Sequence, residues 1–201
     1  MRKAMRGFMK NISMKCLCLL VFSLILPIMI VSAETLPEAK SVLAEKEAIP
    51  NEAAMKEKIK AEAQNCADAF VKGDFEKLSL YTHPKIMQML GGREKMSEIT
   101  RQVMKQMEKQ GMSFISAKIG EPLDLKKIGR VYCSFVPQNL QIKTAKGMLQ
   151  VEGWLLGVLE TDGKWYFIDC ANRDAVKQLF PEIASALQFP EKKAPKLVKE
   201  N

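Results

Sequence analysis

Apolar and polar residues alternate with two different periods along this chain, and the change of period divides it. Met55, Ile59, Ala63, Cys66 and Phe70 recur at helical spacing, with Lys56, Glu57, Lys60 and Asp68 on the opposite side. This predicts a helix from about Glu52 to Lys72, stopped by Gly73, with Asp74 as the cap of a second helix from Phe75 through Leu78 and Tyr81. Pro84 disfavours helical geometry at His83, so the helix breaks there and a short one follows over Lys85–Leu90. After Gly91-Gly92, Met96, Ile99, Val103 and Met107 mark a third long helix from Arg93 to Gln110.

The period then becomes two. Ile115, Ala117 and Ile119 alternate with polar residues and predict a strand. Val131–Val136 is apolar on both faces, which suits a central strand. Pro137 predicts a bulge or kink there, with the strand resuming through Leu140 and Ile142. Met148–Glu160 reads as a long third strand that Gly153 and Gly157 allow to bend. Asp162-Gly163 is a tight hairpin signal, and Lys164–Cys170 is the fourth strand. Short helices are expected near 174–180 and 182–187, divided by Pro181. The reading is an α+β domain over about 51–190: three N-terminal helices on a strongly curved antiparallel sheet of about four strands, with short C-terminal helices. Helices across the concave face would leave a cone-shaped cavity.

The first 33 residues change the meaning of the composition. Arg2, Lys3, Arg6, Lys10 and Lys15 form a basic start without acids, Cys16–Ile30 is apolar apart from Ser23 and Pro27, and Val31-Ser32-Ala33 is a small-residue exit. This pattern predicts a cleavable secretory signal peptide, and so a periplasmic or secreted protein. A retained N-terminal anchor is the alternative, although the run is marginal against a ~30 Å hydrocarbon core. Residues 34–50 read as a linker and 191–201 as a disordered basic tail. The whole chain carries +8, but five of its 31 basic residues lie in the signal. The remainder holds 26 basic and 23 acidic residues, a net of +3. No basic stripe with interleaved aromatics remains, so nucleic acid is not an expected partner. Nor is the membrane, once the signal is removed.

Three cysteines follow the signal: Cys66, Cys133 and Cys170. An odd number with no Cys-x-x-Cys pair argues against a disulfide framework, zinc or redox chemistry. Buried structural thiols are expected, and a Cys133–Cys170 bridge stays open.

Several segments together resemble one family. Phe70-Val71-Lys72-Gly73-Asp74-Phe75, Thr82-His83-Pro84-Lys85, Gly91-Gly92, and the hairpin Asp162–Asp169 closed by Phe180-Pro181 resemble the nuclear-transport-factor-2-like, cystatin-like cone superfamily, in a branch of small secreted bacterial proteins. The likeness covers roughly 55–190. It implies the cone fold and, in the catalytic members, Asp, His or Tyr side chains inside an apolar cone. Other members of that superfamily only bind or dimerise.

The candidate ligand-binding residues are Tyr81, His83, Trp165 and Asp169. Asp169 shares a strand face with Trp165 and Phe167, where a buried carboxylate would acquire a shifted pKa. An exposed strand-end aspartate is the plainer reading. His83, the only histidine, can exchange protons near neutral pH, but before a proline it more simply caps the backbone. Tyr81 can offer a phenol hydrogen bond or simply sit in the core with a wet tip. Trp154, Leu156 and Val158 form an apolar stripe that suits core or a dimer interface. Met87, Met89, Met104, Met107 and Met112 could in principle suit copper(I), but nothing fixes a ligand geometry and several fit the helical core period. No serine elbow, phosphate loop or dinucleotide fingerprint is present, and no metal or cofactor is expected. The functional expectation is an exported, non-enzymatic binding domain taking a small apolar ligand in the cone, with a possible homodimer through the outer sheet face. The alternatives are an acid/base enzyme using Asp169 with Tyr81 or His83, and a purely structural envelope dimerisation module.

Overall fold

The computed structural model describes residues 51–171 and 173–198. The signal peptide and the 34–50 linker lie outside the described residues. Four helices precede the sheet: α1 (Glu52–Lys72), α2 (Phe75–Tyr81), α3 (Pro84–Met89) and α4 (Arg93–Lys109). Their ends lie where the local signals place them. Gly73, at φ 67°, ends α1, its N–H donating to the Phe70 carbonyl and that of Asp74 to Ala69. This is the left-handed stop that glycine adopts without strain. Asp74 then accepts from the Lys77 N–H at 3.0 Å and starts α2.

The strands are β1 (Ser113–Ile119), β2 (Lys126–Ile128), β3 (Val131–Thr144), β4 (Gly147–Leu159), β5 (Trp165–Asp169) and β6 (Lys196–Val198), with α5 (Arg173–Leu179) and α6 (Pro181–Ala186) between the last two. All pair antiparallel in one strongly curled sheet, a half-barrel ordered β1-β3-β4-β5. β2 adds to β3 and β6 to β4. The β4–β5 turn is a three-residue loop: Glu160 N–H donates to Lys164 O, Gly163 N–H to Glu160 O, and Gly163 sits at φ 75°.

Several expectations are corrected. The sheet has six described strands rather than about four. The bulge lies in β1 at Ile115, not at Pro137. Ile115 is 47% exposed, and Phe114 instead joins Ala117 and Ile119 on the inner face, its ring 4.8 Å from that of Phe70. β3 passes Pro137 in unbroken register with β4. The Pro137 carbonyl accepts from Gly120 N–H at 2.8 Å, so the missing proline donor faces the gap between β1 and β2, where no ladder bond is lost. A Cβ on Gly120 would stand 2.8 Å from Pro137 Cγ, which explains the glycine. In the segment read as a disordered tail, Lys196–Val198 pairs with β4.

The helices do not all cross the concave face. α1 and α2 lie on the inner side, with α4 packed on α2 and β1. The chain then turns over the edge of β5, where Thr82 bridges Phe167. α3, α5 and α6 cover the outer side, in a core that includes Ile86, Cys133, Phe135, Leu156, Val176 and Phe180. In the Trp154–Leu156–Val158 stripe, Leu156 and Val158 belong to this core and Trp154 packs against it half-buried.

The free edge of β1 is closed by a side chain. Gln64 Nε2 donates to Ala117 O at 2.9 Å, and its Oε1 accepts from Ile119 N–H at 3.1 Å, as a neighbouring strand would. Replacing Gln64 with alanine removes both bonds and reopens the edge. The expected loss is about 1–2 kcal/mol in urea unfolding, with faster hydrogen exchange at Ile119. An unchanged midpoint and exchange rate would refute this role.

Candidate functional site

Register and alternation set the inner face. Trp165, Phe167 and Asp169 of β5 point there, beside Leu155, Gly157 and Gly153 of β4 and Val136 and Gln138 of β3. At the centre the space is filled: a Cβ on Gly157 would stand 2.5 Å from Ile59 Cδ1. Only the Gln138 side chain lies within 4 Å of where a Gly153 Cβ would be. Gln138 therefore reaches across β4 over the bare Gly153 backbone to Asp169, its Nε2 donating to Oδ2 at 3.3 Å.

Asp169 also accepts from the Ala171 N–H at 2.6 Å. The residue retains intermediate solvent exposure, yet desolvation of the carboxyl raises its pKa. The bonds from Ala171 and Gln138 and the charge of Lys192 oppose this without cancelling it. Because the folded value is raised, ionising Asp169 costs folding free energy as the pH climbs from the unfolded to the folded pKa. Cys66 of α1 faces the same region, its thiol pushed up to about 12 by burial and then by Asp169. Such a thiol is inert at neutral pH.

Of the four candidates, Tyr81 and Asp169 share Cys66 as a neighbour but interact with different groups. Tyr81 lies against Phe167, ring centroids 6.3 Å apart, and near Cys66. Burial and the hydrogen bond to Glu62 push its phenol up to about 12, so its hydroxyl is engaged at α1 rather than at Asp169. Trp165 shares the face but stands four residues along β5, roughly 13 Å away, and is 3% exposed. His83 lies on the other side of the sheet. Its ring packs edge-on against Tyr166 and Phe180, with centroids 5.5 and 4.6 Å away. Tyr166 and Asp169 point to opposite faces by alternation, so no Asp169–His83 pair forms. His83 Nδ1 accepts from the Lys85 N–H at 3.1 Å, which leaves the proton on Nε2, 2.9 Å from Glu160. It caps α3. Sequence reasoning missed Gln138, whose only signal was a polar residue inside an apolar strand.

Among the described residues, Cys66, Cys133 and Cys170 are free and buried. Cys133 stands opposite Val158, while the Cys170 N–H donates to Trp154 on the other edge of β4. Two strand spacings and four residues separate them, well beyond the reach of about 7 Å that a bridge allows. Burial also pushes the Cys133 thiol to about 12 and the Cys170 thiol higher still. Among the described residues no group of His, Cys, Asp or Glu side chains is placed to hold a metal ion.

The class defined by these features is an α+β half-barrel with a desolvated carboxyl on its concave face. No protein-family model matches the chain, and no curated protein matches it. Among the described residues no helix is long and apolar enough to cross a membrane.

Proposed function

We propose that the chain is an exported, non-enzymatic binding domain of the nuclear-transport-factor-2-like kind, and that its concave face takes a small apolar ligand bearing a carbonyl oxygen. The observation that carries this reading is the Asp169–Gln138 pair laid over the bare Gly153 backbone. Both hydrogen bonds to Asp169 come from N–H donors. Desolvation favours the protonated form, and in that form the carboxyl has an O–H to give, for which a ligand oxygen is a suitable acceptor. Leu149 and Val151, half-buried along the same face of β4, supply apolar contact. The acid/base alternative loses its histidine to the opposite face, and Tyr81 is bonded elsewhere.

Nile red, a neutral dye with one ring carbonyl, tests this directly. Saturable one-to-one fluorescence enhancement is expected, weakened roughly tenfold by Asp169→Ala, as loss of one orienting hydrogen bond implies. No saturable binding, or equal affinity in the variant, would overturn the proposal.

A further inference from the structure

β4 has one edge fully paired with β3. On its other edge β5 covers Leu155–Leu159 and β6 covers Met148–Gln150, leaving Val151–Gly153 without a strand neighbour among the described residues. The Trp154 carbonyl accepts from Cys170 on this side at 2.9 Å. By alternation the N–H and C=O groups of Met148, Gln150 and Glu152 face it too.

The C-terminal segment lies along this edge but is lightly held. Trp154 Nε1 donates to the Glu191 carbonyl at 3.3 Å, and Lys192 donates to the Ala171 carbonyl. Lys193 and Lys196 reach the Glu152 carboxylate at 2.6 and 3.5 Å. Every residue from Glu191 to Val198 is exposed. Ion pairs at a rim hold weakly and are screened by salt, and a three-residue strand adds little. Lysines and Pro195 also make the segment a poor template for any further strand.

We propose that the β4 edge from Met148 to Trp154 is the surface on which two copies of this chain associate, and that Glu191–Val198 is its built-in competitor. The edge is self-complementary. A twofold axis at Val151 sets Gln150 opposite Glu152 of the second copy twice, an amide donor facing a carboxylate, and Met148 opposite Trp154. Leu149 and Val151 then extend the apolar concave face across the junction. Moving the axis to Glu152 would set two carboxylates face to face, which cross-strand pairing disfavours. Charge therefore selects the register. This inference is independent of the ligand proposal.

The test is sedimentation equilibrium of the chain ended at Pro190 against the whole chain, with thermal unfolding as the check of folding. Removing the competitor is expected to tighten dimerisation at least roughly tenfold. In the shortened chain, Gln150→Glu should weaken the dimer several-fold by like-charge opposition, and Gln150→Lys should tighten it. A shortened chain that stays monomeric at about 100 μM, or a dimer equally strong in both charge variants, overturns the proposal. If the shortened chain does not fold, Lys193→Ala together with Lys196→Ala in the whole chain frees Glu152 from the competitor and must tighten dimerisation. No change there overturns the proposal equally.

Discussion

Gly157→Val is expected to destabilise the domain by about 3 kcal/mol, lowering Tm on the order of 10 °C. The first added carbon would stand 2.5 Å from Ile59 Cδ1, 3.1 Å from Ile59 Cγ1 and 3.2 Å from Phe167 Cε1. Ile59 is fully buried, so its side chain cannot swing out into solvent. Helix α1 must then lift from β4 or the sheet must flatten. Either movement also displaces Cys66 and Phe167, the neighbours of Asp169 and Tyr81. Gly157→Ala should show a smaller loss of the same sign, and Ile59→Val in that background should recover part of it. Urea unfolding of the three variants checks the order. Equal stability of Gly157→Val and the parent chain would mean that α1 does not pack as described.

His83→Ala is expected to cost about 2–4 kcal/mol. It empties a site between Tyr166 and Phe180 and removes the acceptor of the Lys85 N–H at the start of α3. His83→Asn keeps a capping side chain and should recover about 1 kcal/mol. The same residue gives a pH signature. Desolvation lowers its pKa below the ordinary 6.5, with the Glu160 and Asp162 carboxylates opposing and Lys85 assisting. A protonated ring also has no lone pair for the Lys85 N–H. The unfolded chain thus takes the proton first. Stability from His83 is complete above about pH 6.5, declines as pH falls toward the folded value, and levels off below it. The raised pKa of Asp169 acts in the opposite direction, so the measured quantity is the difference between the parent and His83→Asn. It should shrink between about pH 7.5 and 5. A difference that is constant over that range would refute the neutral, capping role. With one histidine in the sequence, no other imidazole can supply the slope.

How much of this was legible differs from element to element. The helix ends were readable because Gly73, Asp74, Pro84 and Gly91-Gly92 act through their own backbone preferences. The β4–β5 hairpin was readable for the same reason. β2 and β6 were not. Lys126–Ile128 has two exposed lysines and one half-buried isoleucine, and Lys196–Val198 is wholly exposed, so neither has an alternating pattern. Their pairing comes from the neighbour they meet. The shift from Ile115 to Phe114 on the inner face was hidden because a bulge leaves composition unchanged.

The candidate site divides along the same line. Periodicity alone placed Asp169 with Phe167 and Trp165, since alternation within one strand is a local property. Three other relations depended on tertiary structure. Gln138 meets Asp169 only because β3 and β5 flank β4 in this register and Gly153 leaves the path clear. His83 and Tyr81 are two residues apart in sequence, yet they lie on opposite faces because the chain crosses the edge of β5 at Thr82. The C-terminal segment finds its place through Glu152 and Trp154, some forty residues earlier. The sequence by itself determined where elements begin, end and alternate, because those depend on neighbouring φ/ψ preferences and on spacing. Only the tertiary structure decided which faces meet, because register and edge crossings are set by packing between segments far apart in the chain.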